Sequence, residues 1–392
     1  MKTETIKIGF PSGLSGVYAG IAKSQLEGVI LAAEEWNNQG GVLGRQVKID
    51  VKDDKCDPVL TTALTRELIY KDKVDLIVGV LSAGTQLQAN EETKKAKMFF
   101  MSLGMSDELT TAAHLGPYTF HQAPTVYMND QAVAKWIFEN LGKKWYLVAA
   151  DYTWGWSHIE GYEAFAKRTD AKIIGIKKVP FPAKEEDAFT RHFSEIIRKK
   201  PEVLIVNNAG ADQQKFVKEA HQAGLKSKMS IVHTTAMLAA VNTLDPEEAV
   251  GMYWGSAFYW GLKDVLPTAK KFVAAYQKKF KTLPCAYATY GYSGAMEALT
   301  AIEKTGKYPL DPNKMAKELE GRTFAHCKHP EWWRPCDHQA FQDFYVLKFK
   351  GPEERKNKAD SSEIVGQTSW DLDFGKSCQV QGQGRKMWGH TK

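Results

Sequence analysis

The chain has 392 residues, 43% of them hydrophobic and 25% charged, with 52 basic side chains against 46 acidic ones for a net charge of +6. That balance belongs to an ordinary globular protein and excludes a largely disordered one, and the length exceeds a single compact core and suits two lobes. No uncharged apolar run approaches the roughly 18 residues of a membrane span, and a mild, dispersed basic excess is not a nucleic-acid footprint.

The first residues lead straight into an apolar strand at residues 6–10, with no cationic stretch followed by an apolar one. Two readings follow: a cytoplasmic protein, or one whose signal peptide was removed and a start Met added. A helix is predicted from about residue 18 to 38, because Leu26, Val29, Ile30, Ala33 and Trp36 recur on one helical face. Gly40 and Gly41 end it. Residues 47–51 alternate apolar and polar as a strand, Pro58 opens the next helix, and strands follow at 75–80 and 98–101.

The same rhythm restarts after Pro124. Strands are predicted at 145–150, 172–176, 203–206 and 231–232, with a helix from about Ser157. Continuous apolar runs flanked by helices indicate parallel strands covered on both faces. The fold class is therefore α/β, with two doubly wound parallel-sheet lobes. Residues 340–350 read as a late strand returning to the second lobe, and 351–363 and 375–392 read as surface loops or a tail.

Common α/β chemistries are missing. The chain has no Gly-x-x-x-x-Gly-Lys-Ser/Thr loop, no Gly-x-Gly-x-x-Gly, no Gly-x-Ser-x-Gly elbow, no His-Glu-x-x-His and no Cys-x-x-Cys. These absences do not exclude an enzyme, but they raise the share of a binding reading; no cofactor is expected.

Three segments come in a fixed order: Gly13-Leu14-Ser15-Gly16, Trp36-Asn37-Asn38-Gln39-Gly40-Gly41-Val42-Leu43-Gly44, and Asp53-Asp54-Lys55-Cys56-Asp57-Pro58. Val80-Leu81-Ser82-Ala83-Gly84-Thr85-Gln86, Met101-Ser102-Leu103-Gly104-Met105-Ser106 and Gln222-Ala223-Gly224-Leu225-Lys226 follow. Together they resemble the type I periplasmic solute-binding proteins of the branched-chain amino acid transporter class. The resemblance implies two lobes joined by three hinge crossings, a ligand trapped between them by hinge closure, a periplasmic location and a membrane ABC permease as partner, with a monomeric receptor. It places the crossings near Gln122-Ala123-Pro124, Val250-Gly251 and Cys336-Asp337, so that residues 1–122 with 252–336 form one lobe and 123–251 with 337–392 the other.

The resemblance also implies a carboxylate held by Ser82, Ala83, Gly104 and Ser106, at the loops after the third and fourth strands. Hydroxyls and N–H groups at loop–helix junctions suit an anion; helix capping by the same serines is the alternative. Amino-acid binders of this family place an acid after the strand at 230–233, whereas this chain has Thr234-Thr235. Trp154 and Tyr287 fall where the family puts aromatics, and Tyr18, Tyr127, Tyr259 and Trp260 lie on segments expected to face the cleft; each is otherwise lobe core. Tyrosine, Thr235 and His121 offer partners for a para-hydroxyl, although a hydrogen-bonded hinge residue is the favoured reading of His121. These features point to an aromatic acid of the benzoate or hydroxycinnamate type. A branched-chain amino acid, an amide, or a ligand-sensing regulator of the same fold is the alternative. Cys327 and Cys336 are expected to form a disulfide in an oxidising periplasm, with a Cys-x-His, Cys-x-His zinc site involving His329 and His338 as the competitor. Should the alignment near Thr235 shift, Asp212 becomes the replacement acid.

Overall fold

The computed structural model describes residues 5–369 apart from 17, 112 and 237–240, so the predicted tail at 375–392 lies outside the described residues. The described chain divides into two units. One runs to Thr125 and resumes over Leu262–Gln342; the other holds Val126–Gly261 and Asp343–Ser369.

In the first unit, β1 (Ile6–Ser12), α1 (Ala19–Asn38), β2 (Val47–Asp53), α2 (Pro58–Arg66), β3 (Leu76–Gly79), α3 (Ala83–Ala96), β4 (Phe100–Ser102) and β5 (Thr119–His121) alternate strictly until the fourth strand. The strands form a parallel sheet in the order β2-β1-β3-β4-β5. Asp57 caps α2 by accepting the Leu60 N–H at 2.8 Å, and Pro58 supplies a first helical residue that needs no donor.

The second unit begins with α4 (Val126–Asn140), then β6 (Lys144–Ala150), α5 (Thr153–Ala166), β7 (Lys172–Val179), α6 (Thr190–Lys199), β8 (Val203–Asn207), α7 (Ala211–Gln222), β9 (Ser230–His233) and β10 (Tyr253–Ser256). Trp145, Leu147, Val203, Ile205 and Val232 meet Val133, Ile137, Tyr162 and Phe165 of α4 and α5 in one buried core. The chain then returns to the first unit for helices Pro267–Phe280, Ala286–Thr305 and Pro312–Leu319 and a small sheet of β11 (Thr323–Phe324), β12 (Glu331–Trp333) and β13 (Ala340–Phe341). It ends in the second unit with β14 (Phe344–Phe349) and β15 (Ser362–Thr368), giving the order β15-β14-β10-β9-β8-β6-β7 with β14 and β15 antiparallel.

The unit boundaries differ from those the sequence suggests. The second switch follows Gly261 instead of Gly251, because β10 is hydrogen-bonded between β9 and β14. The third follows Gln342 instead of Cys336, because β13 pairs with β12 and Gln339 donates to the carbonyls of His121 and Ala123 within the first unit.

Two features of the first unit bear on its stability. Helices α1 and Ala286–Thr305 approach at glycines: a Cβ on Gly28 would lie 2.2 Å from the Ala288 carbonyl oxygen, and one on Gly291 would lie 2.0 Å from that of Gln25. The unit's two boundary glutamines, Gln122 and Gln342, also join a buried polar network. Gln122 donates to Glu331 at 2.7 Å, Gln342 donates to the Gln122 carbonyl at 2.9 Å, Lys328 lies 3.3 Å from Glu331 and bonds Gln342, and Ser293 donates to Glu331 at 3.1 Å.

Candidate functional site

In the first unit the loop after β3 opens on strained backbone. Val80 has φ +67°, a left-handed conformation that is costly for a β-branched residue, on the order of 1–3 kcal/mol. Its N–H bonds the Pro11 carbonyl at 2.9 Å. Ser82 then caps α3 reciprocally with Thr85: its Oγ accepts the Thr85 N–H at 3.4 Å, and its own N–H donates to Thr85 Oγ1 at 3.2 Å. The Ser82 hydroxyl is therefore a helix cap. Ala83 and Gly84 occupy the first turn, where N–H groups have no intrahelical acceptor and the helix dipole favours an anion. Ser82→Ala is expected to lower stability by about 1 kcal/mol through loss of the cap; urea unfolding without ligand measures it.

The loop after β4 lies directly on this one. A Cβ on Gly104 would sit 1.9 Å from the Leu81 carbonyl oxygen, so glycine alone permits the approach. His121 is fully buried with Nε2 2.5 Å from the Gly104 carbonyl, and burial pulls its pKa down to about 4, so the neutral ring donates. This is a structural role within the first unit. Ser106 is buried too, and its hydroxyl donates to Glu108 Oε2 at 3.0 Å while accepting the Glu108 N–H at 3.2 Å. Its proton is committed within its own turn. Tyr287, half-buried, donates to Met105 Sδ at 3.7 Å; burial with Tyr18 nearby pushes its phenol pKa up. The unit thus gathers Ser82, Ala83, Gly104, Ser106, Tyr18 and Tyr287 around two touching loops.

In the second unit the carboxyl ends of β6, β8 and β9 carry the polar groups. Trp154 in the first turn of α5 is half-buried, stacks on Tyr152 at 6.0 Å and meets His158 edge-on at 4.4 Å. His158 Nδ1 lies 2.5 Å from Asp130 Oδ1, and burial pulls the imidazole pKa down to about 3. Tyr162 and Thr234 share a hydroxyl–hydroxyl bond of 2.8 Å. Asn129 donates to Thr235 Oγ1 at 2.8 Å and to the Thr234 carbonyl at 3.2 Å. Tyr127, half-buried, opens α4. Tyr259 is buried between Trp254 and Trp260, at 6.0 and 5.2 Å, and so belongs to the unit's core instead of an open face. Asp212 is spent on the Ala183 N–H at 2.9 Å.

Sequence reasoning missed His158, Asp130, Asn207 and Asn208. Asn207-Asn208 had a usable signal, two amides ending the apolar run Val203-Leu204-Ile205-Val206. His158 had none, since it sits inside an apolar helical face.

The expected disulfide is corrected. Cys327 is a free thiol, fully buried 3.3 Å from Ser293 Oγ, and its pKa is pushed up to about 12 by burial and by Glu331. Cys336 is disulfide-bonded, but not to Cys327. The short spacing misled because β12 runs between them, leaving one cysteine inside and the other in an exposed turn. His338, from the competing zinc reading, stacks on Phe120 at 4.1 Å and bonds the Thr119 carbonyl. Among the described residues no group of three or more His, Cys, Asp or Glu is placed to hold a metal ion. Alkylation of unreduced protein followed by peptide mapping is expected to label Cys327 only after denaturation.

A family model described as periplasmic binding protein matches residues 5–357. The chain belongs to that family. Its members are solute-binding receptors and not enzymes. This periplasmic binding protein is 26% identical over 332 residues to the leucine-, isoleucine-, valine-, threonine- and alanine-binding protein of Pseudomonas aeruginosa, covering 83% of this chain and 84% of that one. An amino acid ABC transporter substrate-binding protein from Pseudomonas fluorescens Pf-5 has a TM-score of 0.85 at 22% identity, covering 94% and 98% of the two chains. A solute-binding protein of an ABC transporter from Rhodopseudomonas palustris BisB5, in complex with 3,4-dihydroxy benzoic acid, has a TM-score of 0.81 at 22% identity, covering 95% and 99%. Among the described residues no helix is long and apolar enough to cross a membrane.

Proposed function

We propose that this protein is the periplasmic, monomeric receptor of an ABC importer, partnered by a membrane permease, and that its solute is a small aromatic carboxylate of the benzoate or hydroxycinnamate type. One observation carries the ligand class: among the described residues, the second unit's strand ends leave no buried carboxyl uncommitted to another group and able to pair an ammonium. Thr234 and Thr235 follow β9, Asp212 accepts the Ala183 N–H, and Asp130 is bonded to His158. An ammonium there keeps its desolvation cost without a charge-assisted bond, a loss of a few kcal/mol. Trp154 and Tyr152 offer ring faces instead. In the first unit, the Ala83 and Gly84 N–H groups and the Gly104 loop suit the carboxylate.

The second reading is a branched-chain amino acid. The Pseudomonas aeruginosa relative's name favours it, and so does Asp151, an exposed acid after β6 whose Oδ1 accepts the Trp156 indole N–H at 2.8 Å. Calorimetric titration with 4-hydroxybenzoate, 4-hydroxycinnamate, leucine and valine separates the two. The aromatic acids are expected to bind tighter. At 100 times its dissociation constant the ligand should raise stability by about 2.7 kcal/mol. Tightest binding of leucine or valine overturns the aromatic reading.

A further inference from the structure

The carboxyl end of β8 carries an unusual pair. Asn207 and Asn208 are both essentially fully buried, at 1% and 0% exposure, and neither amide nitrogen nor amide oxygen of either has a hydrogen-bond partner among the described residues. Buried polar side chains are almost always paired, so four unpartnered amide atoms on consecutive residues require an explanation. Their position supplies one. Asn207 is the last residue of β8, in register with Ala149 near the end of β6, and the Thr234 N–H bonds the Val206 carbonyl beside it at 3.4 Å. In open parallel sheets ligands bind outside the carboxyl ends of the strands.

A second unpartnered buried group of the same unit restricts what such a ligand can present. His158, also fully buried, donates Nδ1–H to Asp130 as a neutral ring, which leaves Nε2 as a lone-pair acceptor with no partner. An amide gives both donor and acceptor, an imidazole Nε2 in this tautomer only accepts, and neither supplies a charge. The complement is an uncharged group that both donates and accepts. We propose that Asn207 and Asn208, with His158 beside Trp154, form a hydroxyl-recognition subsite in the second unit, and that the solute is a ring-hydroxylated aromatic acid in preference to an unsubstituted one. This rests on the aromatic-acid reading above and adds the substituent to it. An apolar ring edge or a methyl group leaves the amides unpaired, and a site built to hydrogen-bond a hydroxyl rejects the analogue lacking it.

Benzoate, 4-hydroxybenzoate and 3,4-dihydroxybenzoate are titrated into the wild-type chain and into Asn207→Leu and Asn208→Leu. Wild type is expected to bind at least one hydroxylated acid 10-fold or more tighter than benzoate. The leucine variants, which replace an unpaired amide by an apolar group of similar size, are expected to keep or raise the melting temperature. They should lose 10-fold or more in affinity for the hydroxylated acid and hold benzoate affinity nearly constant. Equal wild-type affinity for benzoate and its hydroxylated forms overturns the subsite, as does undiminished hydroxylated-acid binding in both variants, which assigns the amides to ordered water only. The wild-type comparison stands even if a variant fails to fold. If none of the three acids binds wild type while leucine does, the underlying ligand class has failed, a result separate from either outcome above.

Discussion

Lys328→Met is expected to destabilise the protein by about 3–5 kcal/mol, the usual cost of leaving one member of a buried ion pair uncompensated. Lys328 and Glu331 are both about 1% exposed and 3.3 Å apart, so the remaining carboxylate has no water to turn to. Burial already raises the Glu331 pKa above its ordinary value, with Lys328 opposing that rise. Removing the ammonium lets it climb further. A carboxyl whose folded pKa is raised contributes stability fully below its unfolded pKa and loses it as pH rises through the folded value. The deficit of the variant relative to wild type should therefore be smallest in acid, below about pH 4.5, and should grow toward neutral pH. Urea unfolding at pH 4 and pH 7 measures both. Lys328→Met combined with Glu331→Leu should recover much of the loss, since an apolar replacement of the whole pair is often neutral. A single variant equally unstable at both pH values would show that packing, not charge, is responsible.

Gly28→Ala should destabilise by about 1–3 kcal/mol, the range for overpacking. The sign is the informative part. Alanine in an ordinary helix interior is better than glycine by about 1 kcal/mol, so a glycine without a packing role would be stabilised by this change. Here the added methyl would meet the Ala288 carbonyl at 2.2 Å and the Tyr292 nitrogen at 2.6 Å, both backbone atoms that cannot rotate away. The helices must part or tilt. Gly291→Ala meets the Gln25 carbonyl at 2.0 Å and should behave alike. Because both glycines serve one interface, the double variant should cost less than the sum of the singles: once the helices have separated, the second methyl finds room. Denaturant midpoints of the three variants decide the matter, and a raised midpoint for Gly28→Ala would mean that the close approach is not needed.

Much of the architecture was readable because parallel strands buried on both faces write themselves as continuous apolar runs. The Trp145–Ala150 and Val203–Val206 runs are of that kind. The short strands at Thr119–His121, Glu331–Trp333 and Ala340–Phe341 contain polar residues whose burial depends on distant partners, Gln339 on the His121 carbonyl among them, and no local pattern announces them. The same reason displaced the unit boundaries, since β10 owes its place to β14 nearly at the far end of the chain. Ser82 and Trp154 stood out in the sequence through their family-like positions. His158 and Asp130 did not, because their significance is that they touch each other across α4 and α5. Spacing alone misassigned Cys327, since nearness in sequence does not say which side of a strand a thiol is buried on.

The insertion of β10 between β9 and β14 has a consequence for biosynthesis. Tyr253–Ser256 pairs on one side with a strand made just before it and on the other with Phe344–Phe349, which leaves the ribosome much later. In a chain that folds as it is synthesised, without export, the outer edge of β10 waits on the order of 5–20 s for its neighbour at about 5–20 residues per second. An unpaired strand edge is a template for pairing with other chains, so the nascent polypeptide is most open to aggregation during that interval. A holdase that shields the edge until Phe344 emerges should raise the folded yield, whereas one engaging only the first hundred residues should not.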